Sequence, residues 1–410
     1  MMASNYNHAL GICLLVSFVY FLNPNHGNSQ SIEELLRAAR TENPALLALE
    51  KEYASAQFWA DQNDDYPDPV VSLGLGILPI ETRLGAQRLR LGITQMIPWK
   101  GLLEAKASLA TAQAATLKNQ ADSKFINIEY KIRKAYAELI LNRGQVDIIH
   151  EKIAVLDVLE ELAKSAVRSG EGKLSNVLMV QRNRENLLFD LQILEHEKWG
   201  PTIEINRWTS RPLEKEIVIE VDTFNEPDGM KAERDHPHIR ILEAQQKASE
   251  VAIELVHYSQ KPAIGIGLDY AFIDGRSEVD LSGNGRDVLM PMASISIPLN
   301  GSKYTAKKQE ERLKQEAIDL KIRNALLEFE AEKETAKSKI ILADTKIAKY
   351  KELKNITQET IELMRTEYAS EGTRFEELIR LELELVEYNK ALLMAGHVKN
   401  LAYALLEKYR

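Results

Sequence analysis

Two histidines, His236 and His238, flank Pro237, and two expected turns pair an acid with glycine, Glu171-Gly172 and Glu371-Gly372. Imidazoles two residues apart could open a metal site, and carboxylates at a turn could draw cations or a basic partner. The histidine pair lacks the rest of a site. No cysteine or further histidine clusters near it, and His150, His196, His257 and His397 are scattered. Polar residues at a helix start account for the pair better. There is no zinc-protease helix, phosphate loop or dinucleotide fingerprint. No catalytic residue, metal site or cofactor is therefore assigned, and the chain reads as a non-enzyme. The acidic turns keep basic neighbours in Arg168, Lys173 and Arg374.

The turns lie 200 residues apart, and so does a larger frame. Ile97-Pro98-Trp99-Lys100-Gly101 returns as Ile297-Pro298-Leu299-Asn300-Gly301, and Leu178 meets Leu378. Upstream the offset is 193: Pro44 matches Pro237, Pro69 matches Pro262, and Gly74-Leu75 matches Gly267-Leu268. The chain is a duplication.

The 410 residues carry a net charge of -9, which gives nucleic-acid binding no support. The apolar run from Ala9 to Leu22, then Asn23-Pro24-Asn25, reads as a secretory signal within residues 1–30, although no Lys or Arg precedes it. It holds the only cysteine, Cys13, with too little apolar sequence before it for a lipoprotein motif.

The first repeat, 31–208, begins with helical patterns that stop at Pro67 and Pro69. A strand hairpin follows over 70–97. Leu73, Leu75 and Leu91 alternate with Ser72, Gly74 and Arg90, and 78–87 reads as the connecting loop. A long helix over 102–169, with Gly144 its one glycine, leads through Gly170 to a return helix over 173–208, interrupted at Gly200-Pro201. Residues 209–234 link the copies, with a short strand expected at Glu216–Val221. The second repeat, 235–410, has its hairpin at 263–299, where Ile266, Leu268 and Ile295 alternate with Gly267 and Ser294. Its loop, with Gly275, Gly283 and Gly285, reads as exposed and mobile. A helix over 302–370 and a return helix over 373–408 complete it. Stepping by seven from Ala306 gives Leu313, Leu320, Leu327, Glu334 and Ile341, a supercoiling repeat. About 67 residues of helix would be roughly 100 Å long.

Amphipathic strands of this length can cross a bilayer, with Leu73, Leu75, Leu91, Ile266, Leu268 and Ile295 toward lipid and the small or polar residues toward a lumen. Four strands cannot close, so several chains must share one barrel. Two would give eight strands and three would give twelve. Trp99 suits an interfacial belt. A half-buried strand in a soluble sheet would explain any one strand, but not four in duplicated hairpins that feed such helices.

The ordered set is similar to the TolC family of outer-membrane efflux ducts over nearly the whole mature chain. It comprises Asn43-Pro44 and His236-Pro237, the Gln95-Met96-Ile97-Pro98-Trp99-Lys100-Gly101 run, and Gly170-Glu171-Gly172 through Leu178. The run resembles the heavy-metal branch of the CusC and CzcC type. The resemblance implies a mainly α fold with a β-barrel contribution: a homotrimer closing a twelve-stranded barrel and a periplasmic helical tunnel. It implies the exit duct of a tripartite exporter in the outer membrane of a Gram-negative bacterium, with a periplasmic adaptor and an inner-membrane pump as partners and heavy-metal cations as a candidate cargo. Pro98, Gly101, Pro298 and Gly301 would form the barrel-to-helix junction. Arg168, Gly170, Glu171, Gly172, Lys173, Glu371, Gly372, Thr373 and Arg374 would form the periplasmic aperture and docking end. The competing readings are a periplasmic coiled-coil adaptor, which would have one hairpin and no duplication, and a soluble coiled-coil scaffold, which would need no signal.

Overall fold

The computed structural model describes residues 31–410 other than 171, 221–222, 228, 230–232, 278–279, 281 and 372–373. The expected signal segment, 1–30, lies outside them, as does Glu171. The chain is mainly α-helical with one small antiparallel sheet. In order come α1 (Ile32–Glu42), α2 (Pro44–Ala56), α3 (Trp59–Asp64), β1 (Val70–Thr82), β2 (Gly85–Ile97), α4 (Leu102–Lys118), α5 (Gln120–Arg168), α6 (Leu174–Glu197) and α7 (Trp199–Trp208). A 3-10 turn (Glu233–Asp235), α8 (Pro237–Ser259), β3 (Ala263–Asp274), β4 (Val288–Ser296), α9 (Gly301–Glu371) and α10 (Phe375–Glu407) follow.

Two compact units divide the chain, and each draws on both repeats. One is built from Thr41–Ile128, Pro227–Ala336 and Leu405–Arg410, and it contains the sheet. The other, whose regular structure is helical throughout its described residues, takes the chain to Arg40, Glu129–Glu226 and Lys337–Ala404.

In the sheet unit the strands lie in the order β1-β2-β3-β4, every neighbour antiparallel. The β2–β3 seam joins the two repeats. β1 and β4 are the edges, and each carries a proline, Pro79 and Pro291. Proline lacks the ladder N–H, which confines it to such positions. The expected loop at 78–87 is mostly strand. Thr82 pairs with Gly85, so only Arg83 and Leu84 turn, and Thr82 Oγ1 donates to the Gly85 carbonyl at 2.7 Å. A register shift between Leu75 and Ile80 disrupts the alternation there and hid the strand from a period-two reading. The β3–β4 loop, expected to be mobile, is tied down in its described part. Arg276 and Asn284 exchange hydrogen bonds at 2.8 Å, and Gly285 N–H donates to the Leu84 carbonyl at 2.8 Å.

Beside the sheet, α4 packs on α2, α3 and α8, and its buried residues are all alanine: Ala105, Ala110 and Ala114. Small side chains allow that close approach. On α8, the buried Ser249 hydroxyl donates to Glu311 Oε2 at 2.9 Å, while Lys307 and Lys314 grip the other oxygen at 3.1 and 2.8 Å. Burial pushes the Glu311 carboxyl up, but hydrogen bonds from Lys314, Lys307 and Ser249 outweigh it, and the net shift is downward.

The helical unit is held by a heptad core. Ile149, Leu156 and Ala163 of α5 and Val180, Leu187 and Leu194 of α6 recur at sevens and meet Ile361 and Met364 of α9 and Leu378 of α10. The expected helix over 102–169 is two, broken at Asn119, while Gly144 interrupts nothing. A Cβ on Gly144 would lie 2.6 Å from Leu393 Cδ1, so this glycine admits a neighbouring side chain. The return helix over 173–208 is likewise two, α6 and α7. Pro201 falls in the first turn of α7, where its missing N–H costs no helical bond, so Gly200-Pro201 does not stop the chain. The strand expected at Glu216–Val221 is absent over its described residues. Side chains hold that segment instead: Tyr136 Oη accepts from Glu220 N–H at 3.0 Å, and Arg143 donates to the Ile219 carbonyl at 3.1 Å.

The heptad expected on α9 is real but turned outward. Leu313, Leu320, Leu327 and Ile341 are exposed, and Glu311, Ile318 and Ala325 form the buried line two residues earlier. An alanine and a buried glutamate do not register as a hydrophobic repeat.

Candidate functional site

The strand register sorts the sheet into two faces. Leu73 pairs with Leu91, Leu91 with Tyr270 and Tyr270 with Leu289. The next row is Val71, Ile93, Leu268 and Pro291, and Ile97, Ile264 and Ile295 form another. Leu73, Leu75, Leu91, Ile266, Leu268 and Ile295 thus share one face. That face is open: Leu75 is 71% exposed and Ile266 56%. On β3 the opposite face, Gly265, Asp269, Ala271 and Ile273, is buried. A soluble sheet buries its apolar face; here β3 buries its small and polar face instead. Tyr270 and Phe272, in edge contact at 4.7 Å, stand near one end of the apolar face, and Trp99 follows β2 at the other.

The small-residue face holds one charged pair in its regular rows. Arg90 Nε donates to Asp269 Oδ2 at 3.1 Å, and its Nη2 donates to the same oxygen. The pair crosses the seam between repeats. Gly92 makes room for it, since a Cβ there would lie 2.3 Å from Asp269 Oδ1 and 2.5 Å from Ser72 Oγ. Arg90 is legible in the sequence as a residue of this face, but its partner across the seam is not. The signal was two opposite charges on the small-residue faces of different hairpins, where ionisable groups rarely stand unpaired.

The repeated Ile-Pro-x-x-Gly frame lies between sheet and helix in both copies, but its glycines differ. Gly101 adopts φ +90° and caps α4 beside the ring of Tyr258, whereas Gly301 is the first residue of α9 in open space. Pro98 and Pro298 follow β2 and β4.

The first helix turn closes at Gly170, φ +83°. Gly172 N–H donates to the Ala166 carbonyl at 2.8 Å, and a Cβ on Gly172 would come 2.8 Å from Ala166. Lys173 is the extended residue before α6. In the second turn Arg374 takes the left-handed conformation, φ +66°. Arg168 lies 3.9 Å from Glu161 and Arg374 3.7 Å from Glu367, both as exposed pairs. Glu171, Gly372 and Thr373 lie outside the described residues, and Glu371 is described only as the end of α9. The flanking residues Val177 and Phe375 belong to one core cluster.

His236 is a cap. Its Nδ1 accepts from His238 N–H at 3.2 Å, as Asn43 Oδ1 accepts from Ala45 N–H at 3.0 Å in the first repeat, each with proline next in sequence. The ring lies 4.5 Å from Phe329 and 5.9 Å from Tyr409. Burial, then the charges of His238, Lys408 and Lys333, lowers its pKa to about 4. Among the described residues no group of three or more His, Cys, Asp and Glu could hold a metal ion, and no helix is long and apolar enough to cross a membrane.

No family model matches the sequence, and no curated protein sequence matches it. Solved structures do match the fold. The outer membrane protein VceC of Vibrio cholerae aligns over 92% of this chain and 95% of its own at 15% identity, with a TM-score of 0.71. CusC, described as forming a transmembrane channel, aligns over 92% and 91% at 13% identity, TM-score 0.74. The MtrE outer membrane channel of Neisseria gonorrhoeae aligns over 92% and 88% at 15% identity, TM-score 0.71. The chain therefore has the TolC-like fold of the outer-membrane channel proteins.

Proposed function

We propose that the chain is one protomer of a homotrimeric exit duct in the outer membrane of a Gram-negative bacterium. The observation that carries this reading is the open apolar face running across all four strands, opposed by a face of small and polar residues that is buried on β3. The first would meet lipid and the second a lumen. From Leu89, the partner of Phe272, to Ile97 at the end of β2 is roughly 27 Å of strand, which at a 40° tilt stands about 21 Å tall, near the height of a barrel's apolar band. β1 and β4 each leave an edge unpaired, which hydrocarbon does not tolerate. Three copies would close twelve strands. The exposed line Leu313, Leu320, Leu327 and Ile341 gives α9 a second surface for a neighbouring copy.

In this reading Pro98, Gly101, Pro298 and Gly301 turn the chain from barrel to tunnel. The helix turns, with Arg168, Gly170, Glu171, Gly172, Lys173, Glu371, Gly372, Thr373 and Arg374, form the periplasmic aperture where an adaptor docks. The duct is passive, non-enzymatic and without cofactor. An inner-membrane pump selects the cargo, heavy-metal cations being the class that the CusC-like sequence suggests.

Purification in mild detergent and reconstitution into a planar bilayer test the proposal. A heat-resistant trimer that conducts ions is expected. A monodisperse monomer that retains pore activity, or a trimer that passes no current, would exclude it.

A further inference from the structure

The regular rows of the small-residue face hold glycine, alanine, serine, threonine, valine and methionine apart from one cation and one anion. Reading across the register, Gly74 meets Arg90 and Ala271; Ser72 meets Gly92 and Asp269; Thr94 meets Gly267 and Met292. The two charges are not presented equally. The Asp269 side chain is 9% exposed and that of Arg90 is 43% exposed. The carboxylate lies beneath, wedged where Gly92 leaves out a Cβ, with Ser72 alongside. The guanidinium lies over it, bonded through Nε and Nη2 to one carboxylate oxygen. Nη2 also approaches Met292 Sδ at 4.0 Å. The exposed charge in these rows is therefore positive.

From this asymmetry we infer that Arg90 is the charge-selecting residue of the barrel lumen, favouring anions and opposing free cations. The inference rests on the duct reading, in which three copies set three guanidinium groups at one level. Asp269 does not cancel them for a passing ion. A buried carboxylate lies farther from the lumen than the cation it supports, so the pair acts as a dipole with its positive end inward. Charged rings in narrow pores govern permeation in this way, and no other charge stands in the same rows to offset it. Asp269 is a positioning residue: it fixes the fork of Arg90, whose planar guanidinium suits such a hold. A metal leaving through this barrel would pass more readily as an anionic or neutral complex than as a bare divalent ion.

Two charge variants separate this role from a structural latch. Asp269→Asn keeps the shape beside Gly92 and removes the buried negative charge. Arg90→Gln combined with Asp269→Asn removes both charges and leaves the net charge unchanged. Reversal potentials would be measured in a potassium chloride gradient on assembled trimers. The anion-to-cation permeability ratio should rise in Asp269→Asn by about two- to three-fold, the order set by a unit charge ~8 Å away in water, and fall below wild type by a smaller factor in the double variant, which removes a neutral pair. A double variant with wild-type selectivity would show the pair to be electrically silent and overturn the inference.

A second measurement needs no current. Ser72→Cys places a thiol beside the pair, and its reaction with negatively and positively charged methanethiosulfonates reads the same field. The anionic reagent should lose its relative advantage when Arg90→Gln and Asp269→Asn are added; an unchanged rate ratio counts against the inference. If wild-type protein neither trimerises nor conducts, the duct reading fails, while this thiol comparison still decides whether Arg90 sets the potential at the sheet.

Discussion

The ring of Tyr258 lies against Gly101, so close that a Cβ at position 101 would sit 2.7 Å from a ring carbon. The end of α8 thereby fixes the point where the chain leaves β2 for α4. The backbone there is also left-handed, φ +90°. Gly101→Ala should destabilise the protein by about 1–3 kcal/mol from backbone strain alone. Gly301→Ala, at the open start of α9, should be neutral or slightly stabilising. Thermal unfolding of the two variants in one detergent checks this, and equal effects would mean that the repeated frame does one job in both copies.

Leu268 sits in the middle of the apolar face. Arg at this position should cost on the order of 2–4 kcal/mol if it lies at mid-membrane. Membrane assembly of Leu268→Arg should fall accordingly. A cysteine at Leu268 should resist water-soluble reagents that modify one at Ser72. Unimpaired assembly together with free labelling at 268 would remove the lipid assignment.

The outward line on α9 offers a separate test of assembly. Leu320 is 61% exposed in a single chain, so Leu320→Glu should change the stability of the lone fold by no more than about 0.5 kcal/mol. Helix content should therefore stay constant by circular dichroism while the heat-resistant trimer is lost. A trimer of normal stability would place that stripe outside the contact between copies.

His236 gives a pH dependence whose sign is fixed. Its pKa is lowered to about 4 in the folded chain, mainly by burial, against an ordinary value of 6.5. Between these values the unfolded chain binds the extra proton, so stability declines as pH falls from about 6.5 toward 4 and then levels off for this group. Asn caps the equivalent helix at Asn43 without titrating. His236→Asn should keep the cap and flatten that part of the profile. Unfolding midpoints at pH 7 and pH 5 report it; parallel slopes for the two proteins would assign the acid sensitivity elsewhere.

The proposed docking end is probed by Glu171→Gln with Glu371→Gln. Adaptor coupling should weaken, or pore cation preference shift, with the trimer intact. Normal export and unchanged single-channel selectivity would take these two acids out of the mechanism without touching the fold.

Much of the fold was legible because it is written in periodicities that survive duplication. Alternation over Leu73, Leu75 and Leu91 and over Ile266, Leu268 and Ile295 put each set on one face, and the register joins the two sets. What stayed hidden depended on partners distant in sequence. Asp269 acquires meaning only when β3 pairs with β2. The buried line on α9 runs through Glu311 and Ala325, which hydropathy ignores, while the leucines that hydropathy prefers point outward. Pro201 resembled a stop because its place in the first turn of α7 depends on the break just before it. The helix turns were visible as Gly170 and Gly172, but the left-handed Arg374 was not, since nothing in its side chain demands that conformation.

Both prolines of the sheet stand on its margins, Pro79 in β1 and Pro291 in β4, with none in β2 or β3. A freshly made chain with two bare margins is sticky toward any extended segment it meets. Each proline deletes a donor at one rung and makes indiscriminate zippering less favourable there. In the proposed trimer the same gaps would act as a key, since a correct neighbour must tolerate a missing rung at a fixed place while a slipped one would meet it elsewhere. Solubility before assembly and fidelity during it would then be one property of the sequence.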